Sequence, residues 1–184
     1  MPTGNKLKFA TFDVVALYPS IDLERGLKSL RWFLETECDF SEQLCDLILV
    51  LARFVLTHCY VACPEITTNI FHQVIGTAMG TCFSVVYAII HMIYIETGIF
   101  TRFKRYISLY TRFIDDGFCA WHGSDQDFEI FAEEFNRVDP SIQVIWSGLS
   151  NSAIFLDVEA GISQVAQFIM KFTVNLAMHM LICH

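Results

Sequence analysis

From Ile66 to Ile95 no residue carries a formal charge. A stretch of that length has to leave water, either for a protein core or for a bilayer, which a helix crosses with about 20 apolar residues. Its polar content separates the two. Asn69, His72, Gln73, Ser84, His91 and several threonines interrupt the run, and no Lys/Arg cluster flanks one end. The pattern predicts a polar loop followed by a buried core helix. An integral membrane protein is the alternative for this stretch, and no membrane partner is expected.

Composition narrows the class further. The chain has 184 residues, 54% hydrophobic and 17% charged, enough apolar material for one domain or a piece of a larger one. That balance excludes a disordered chain. A net charge of −8 argues against a free-standing basic nucleic-acid binder. The seven cysteines are odd in number and contain no CxxC pair. With no secretory pattern in Met1–Lys6, reduced thiols and a nuclear or cytoplasmic location are expected. His58, Cys59, Cys63 and His72 have poor spacing for zinc, so scattered thiols are the better reading.

Along the chain, residues 7–12 alternate as a largely buried strand that ends in Asp13. Val14–Ser20 reads as a turn, and Asp22 or Ser20 caps a helix over 22–35 with Leu23, Leu27, Leu30 and Leu34 as its apolar stripe. Ser41 caps a second helix over 42–57, with Leu44, Leu47, Ile48, Leu51 and Val55 on one face. A short hairpin or loop covers 58–72. Gly76–Thr81 forms a tight turn opening a buried helix over 82–97. Residues 106–114 and 117–122 read as a hairpin joined at Asp115-Asp116. Ser124 caps a helix over 125–137 that buries Phe128, Phe131, Ala132 and Phe135. Strands near 142–146 and 153–158 follow. The expected fold is α+β, a mainly antiparallel sheet with helices packed on one face.

Three carboxylates stand out in this arrangement. Asp13 ends an apolar strand, and Asp115 and Asp116 sit at the tip of an apolar hairpin. If the two strands are neighbours, three negative charges meet at one sheet edge and repel one another unless cations neutralise them. Mg²⁺ takes oxygen ligands and shares its shell with phosphates, and a pair of such ions can clamp the attacking and leaving oxygens of a phosphoryl transfer. Taken singly, each Asp is also explained by turn or cap chemistry.

The ordered segments carry a resemblance. TFDVVALYPSID (residues 11–22) resembles the first catalytic motif of reverse transcriptases. QVIGTAMGTCFSVVYA (73–88) resembles their second, YTRFIDDGF (110–118) their third, and AIFLDV (153–158) the segment after a fourth. The style is similar to that of Penelope-like retroelements and of telomerase catalytic subunits, over roughly residues 7–176. The chain departs from the pattern at Cys82, Ile89 and Gly117, where relatives commonly have Pro, Asn and a β-branched residue.

The resemblance implies a polymerase palm, with residues 1–184 forming a partial reverse transcriptase domain whose fingers and thumb are largely missing. It implies an RNA-directed DNA polymerase that joins dNTPs to a primer 3′-OH, with an RNA template and DNA primer as partners and two Mg²⁺ or Mn²⁺ ions as cofactors. Asp13, Asp115 and Asp116 would be catalytic, and with the Val14 carbonyl they would bind metal. Ala16 and Leu17 would offer amides to the triphosphate, and Tyr18 would be the steric gate against a ribose 2′-hydroxyl. Gln73, Met79 and Gly80 would line the nucleotide pocket, Phe113 would pack near the primer end, and Lys171 falls in a segment of open role. The alternative is a catalytically silent fragment that acts through protein contacts.

Overall fold

The computed structural model describes residues 6–62, 64–162 and 168–172, the last group and Ile162 by backbone alone. Its elements divide into two compact units. One holds the chain up to Asp13, Phe103–Ala132 and the residues from Ile145 onward; the other holds Val14–Arg102 and Glu133–Val144.

The first unit is built on an antiparallel sheet. Strand β1 (Lys8–Val14) pairs with β5 (Asp116–Trp121), which pairs with β4 (Ile107–Phe113), while β6 (Val144–Trp146) flanks β1 on its other edge. Past β6, Ser147 and Ser150 continue the pairing through backbone bonds to Thr11 and Phe9. Alternation divides β1 between two faces. Phe12 and Ala10 lie on the side of Trp121 and Cys119, where Trp121 is fully buried against Phe128 and Phe131 of helix α5 (Asp125–Val138). Phe9 lies on the opposite side with Phe118 and Ala120. There it packs on Ala153, Phe155 and Ala160 of the hairpin β7 (Ser152–Phe155) and β8 (Val158–Ile162). Strand β9 (Phe168–Phe172) completes that small sheet. At the start of α5, the Asp127 amide donates to Ser124 Oγ at 3.1 Å, and Asp127 Oδ2 accepts from both the Ser124 amide and its hydroxyl. This reciprocal cap satisfies the first free amides of the helix and holds the Asp127 carboxyl below its ordinary range.

The second unit is mainly helical. A single turn, α1 (Leu17–Ser20), precedes α2 (Leu23–Thr36) and α3 (Glu42–Thr57). The Asp22 carboxylate caps α2 by accepting from the Arg25 amide at 3.0 Å, and Leu27, Leu30 and Leu34 are buried as the periodicity predicts. A two-stranded hairpin, β2 (Tyr60–Ala62) and β3 (Ile70–His72), leads to α4 (Cys82–Phe103).

Two expectations are corrected here, and the direction of one face is settled. The α3 stripe faces outward: Leu47 is 55% exposed and Leu51 56%, while Cys45, Ala52 and Leu56 are the buried positions. Cys45, Ala52 and Leu56 fall on one side of the helix and define its inner face. Ser41 also makes no side-chain cap. Helix α4 is longer than expected, and only half of its most apolar window is buried. Among the described residues it is one helix long and apolar enough to cross a membrane. Its buried His91 and Glu96 mark it as a core helix of the unit.

Candidate active site

The register of β1 against β5 sets Asp13 directly opposite Asp116. Directly opposed residues share a face with Cβ atoms about 5 Å apart, so both carboxylates stand on the Phe9–Phe118 face, beyond the reach of its apolar packing. Asp116 is also the partner of Phe113 across the β4–β5 hairpin. This corrects the expected tip: the loop is Ile114-Asp115, and Asp116 is already the first residue of β5. Ile114 adopts a left-handed φ of 55°, an uncommon conformation for a β-branched residue. Arg112 Nη1 donates to the Ile114 carbonyl at 2.7 Å and braces the turn that carries Asp115.

Electrostatics bind the three acids into one cluster. The Asp116 carboxyl is raised above its ordinary range, first by partial burial and then by the negative charges of Asp115 and Asp13. A cavity of about 450 Å³ opens beside the pair, bounded by Asp13, Asp116, Ser147, Ile154 and Leu156 among others. Ser147 accepts from the Thr11 amide at 2.9 Å and fixes that wall. Sequence reading passed over Ser147, since a lone serine beyond a strand carries no periodic signal.

The donor set suits a hard divalent cation. It offers oxygen only, and a cation would relieve the mutual repulsion that raises Asp116. Among the described residues no three His, Cys, Asp or Glu side chains are gathered into a ready-made metal cage. Mg²⁺ characteristically takes one or two carboxylates and completes its shell with water and phosphate oxygens, so Asp13 and Asp116 are residues that could hold one.

The other expected residues lie in the second unit, apart from Phe113 and Lys171. Val14 and Leu17 are buried, and Ala16 is exposed with a left-handed φ of 46°. The structure brings two of the motif segments together there. The Thr77 amide donates to the Tyr18 carbonyl at 2.9 Å. Gly76, at φ 72°, passes so close to Pro19 that a Cβ would sit 2.4 Å from its Cα. Half-buried Gln73 donates to the Ile75 carbonyl at 2.9 Å. Met79 is 74% exposed. Gly80 has open space around it and is required for its φ of 97°. In the first unit Phe113 is exposed. Lys171 lies on β9 opposite Glu159, its side chain outside the described residues, as is all of Cys63.

This arrangement of sheet, hairpin and helices is a mixed α+β fold of the telomerase, reverse transcriptase-like type. The apo telomerase of Candida tropicalis superposes with a TM-score of 0.69 at 13% identity, over 93% of this chain and 32% of that one. Its form truncated from the C-terminal domain gives 0.63 at 14%, over 90% and 35%. A Candida albicans telomerase, solved with the TWJ fragment of telomeric RNA, gives 0.64 at 14%, over 89% and 31%. The chain thus spans about a third of the length of these telomerases, and at such identity the likeness is one of fold. No protein-family model and no curated protein matches the sequence.

Proposed function

We propose that the chain is the palm portion of an RNA-directed DNA polymerase, adding deoxynucleotides to a primer 3′-hydroxyl on an RNA template. The observation that carries this reading is Asp13 facing Asp116 across β1 and β5 with Asp115 on the adjoining tip, in a fold like that of telomerases. Asp13 and Asp115, with the Val14 carbonyl, would hold two Mg²⁺ or Mn²⁺ ions beside Asp116. When bound, such ions supply charge neutralisation at the transferring phosphoryl group. The chain's own part is to fix the acids on rigid strands, with no ion pair from a basic side chain to them among the described residues. Phe113 would pack at the primer end. The nucleotide-facing roles of Ala16, Leu17, Tyr18, Gln73, Met79 and Gly80, with Tyr18 as steric gate, rest on the sequence motifs. The RNA held by the Candida albicans protein supports a nucleic-acid partner. A net charge of −8 gives no basic channel for one, so the palm would work with fingers and thumb regions supplied by a longer protein, in the nucleus or cytoplasm.

A second reading has its own observation. The exposed apolar face of α3 suits a catalytically silent fragment that acts by protein contact. Primer extension on an RNA template with Mg²⁺ or Mn²⁺, beside an Asp115→Ala variant of equal fold, separates the two. Incorporation lost in the variant supports the polymerase. No incorporation by the wild type, even with flanking regions restored, leaves the silent fragment.

A further inference from the structure

Ser29 on α2, His91 on α4 and Asp139 after α5 form a chain of contacts inside the second unit, with exposures of 0%, 1% and 5%. Ser29 Oγ lies 2.8 Å from His91 Nδ1 and 3.0 Å from the Arg25 carbonyl. His91 Nε2 lies 3.2 Å from Asp139 Oδ2. Asp139 Oδ1 accepts from the Ser141 amide and hydroxyl at 2.9 and 2.7 Å and from Arg25 Nη1 at 3.3 Å. The residue types are those of a hydrolytic triad, but a serine with no exposure cannot meet a substrate, so nucleophilic catalysis is excluded.

Counting protons gives another role. Nε2 must carry a hydrogen, because it faces a carboxylate. With the ring neutral, Nδ1 is then an acceptor and the Ser29 hydroxyl donates to it. With the ring protonated, Nδ1–H donates to Ser29 Oγ, and the hydroxyl hydrogen turns to the Arg25 carbonyl already in reach. Both states keep Nδ1 and the Ser29 hydroxyl partnered without moving a heavy atom, while Nε2 makes no aligned hydrogen bond and lies 3.2 Å from the Asp139 carboxylate. We propose that Ser29, His91 and Asp139 form a buried proton switch, in which His91 takes a proton from solvent onto Nδ1 while the chain stays folded. Ser141, bound to the same carboxylate, also lines a cavity of about 430 Å³ with Asp22 and His72, which gives water an approach. The charged groups acting on the ring are Asp139 and Asp22, which favour the proton, and Arg25, which opposes it with burial. Burial outweighs the carboxylates, so the ring titrates below its ordinary value.

The switch governs how firmly one segment is held. Asp139 begins the stretch that ends at Gln143, whose carbonyl accepts from the Val15 amide at 2.9 Å. Protonation turns the 3.2 Å His91–Asp139 contact, which makes no aligned hydrogen bond, into an ion pair.

The test is a pH titration of the histidine ring signals of the whole chain by NMR, with His91→Gln identifying the resonance. The expected result is reversible titration of His91 with a midpoint below 6.5 while the other folded signals persist. Ser29→Ala removes the acceptor for Nδ1–H and lowers the midpoint by about one pH unit, and Asp139→Asn lowers it as well. A ring that changes only when the chain unfolds overturns the proposal, as does a midpoint at or above 6.5 or one unmoved by Ser29→Ala. None of these readouts depends on polymerase activity.

Discussion

Two carboxylate sites of this molecule are built on opposite principles. At Asp139 nearly everything polar is partnered: an arginine, a histidine and a serine surround one buried acid. At the sheet edge Asp13 and Asp116 face a cavity, and burial and then the charges of Asp115 and Asp13 raise the proton affinity of Asp116. The first arrangement fixes a fold. The second weakens it, and such locally unfavourable charge is what the proposed function puts to use.

Removing the partnered acid gives the largest effect. Asp139→Ala strands Arg25 and His91 and lowers stability by about 3–5 kcal/mol, measured by urea unfolding. A loss below about 1 kcal/mol would put Asp139 in the same class as the sheet-edge acids and erase the contrast. The linked pH effect has a definite sign. Because His91 has its folded value below 6.5, the unfolded chain binds the extra proton first. Its contribution is therefore complete above pH 6.5 and is lost as pH falls from there toward the folded value. His91→Gln flattens that part of the stability profile.

The next effect concerns the scaffold under the acids. Gly117 stands opposite Phe12, and a Cβ there would lie 1.9 Å from the Phe12 ring. Gly117→Ala therefore costs about 1–3 kcal/mol by overpacking and loosens the strand that carries Asp116. If thermal melts show no loss, the ring has room to move and the rigidity claimed for this site is wrong. Smaller again is Ser124→Ala, which opens the reciprocal cap of α5 at about 1 kcal/mol. A loss confined to α5 amide protection in hydrogen exchange would show that the cap does not brace the sheet.

These sites were not equally legible in the sequence. The acids were legible in part: strand and hairpin patterns single out Asp13, Asp115 and Asp116, their meeting depended on the two strands being neighbours, and their roles came from the resemblance. The exact tip was not, since an Ile at positive φ is disfavoured and Asp115-Asp116 looked the better turn. The departure at Gly117 had no meaning until the Phe12 ring was seen to fill the space of its side chain. Ser29, His91 and Asp139 lie on three separate elements, and no spacing announces them. The one signal was a histidine within the uncharged run. The exposure of the α3 stripe was not legible, because spacing places Leu47 and Leu51 on one face without saying what that face meets.

The smallest expected effect has the opposite sign and tests the comparison most directly. Asp116 has its folded proton affinity raised by burial and by its two acidic neighbours. For a raised carboxyl the folded chain holds the proton longer than the unfolded one, so stability falls as pH rises through the folded value. At neutral pH the ionised group is thus a burden, where His91 is an asset. Asp116→Asn lifts the burden, and since the side chain is exposed and screened the gain stays below about 1 kcal/mol. The expected variant melts at or slightly above the wild type and loses the fall in stability that sets in as pH rises above the ordinary carboxylate value, while nucleotidyl transfer, on the proposed function, is lost. A variant that melted lower would mean that Asp116 holds a structural bond, and the cluster would then belong with Asp139.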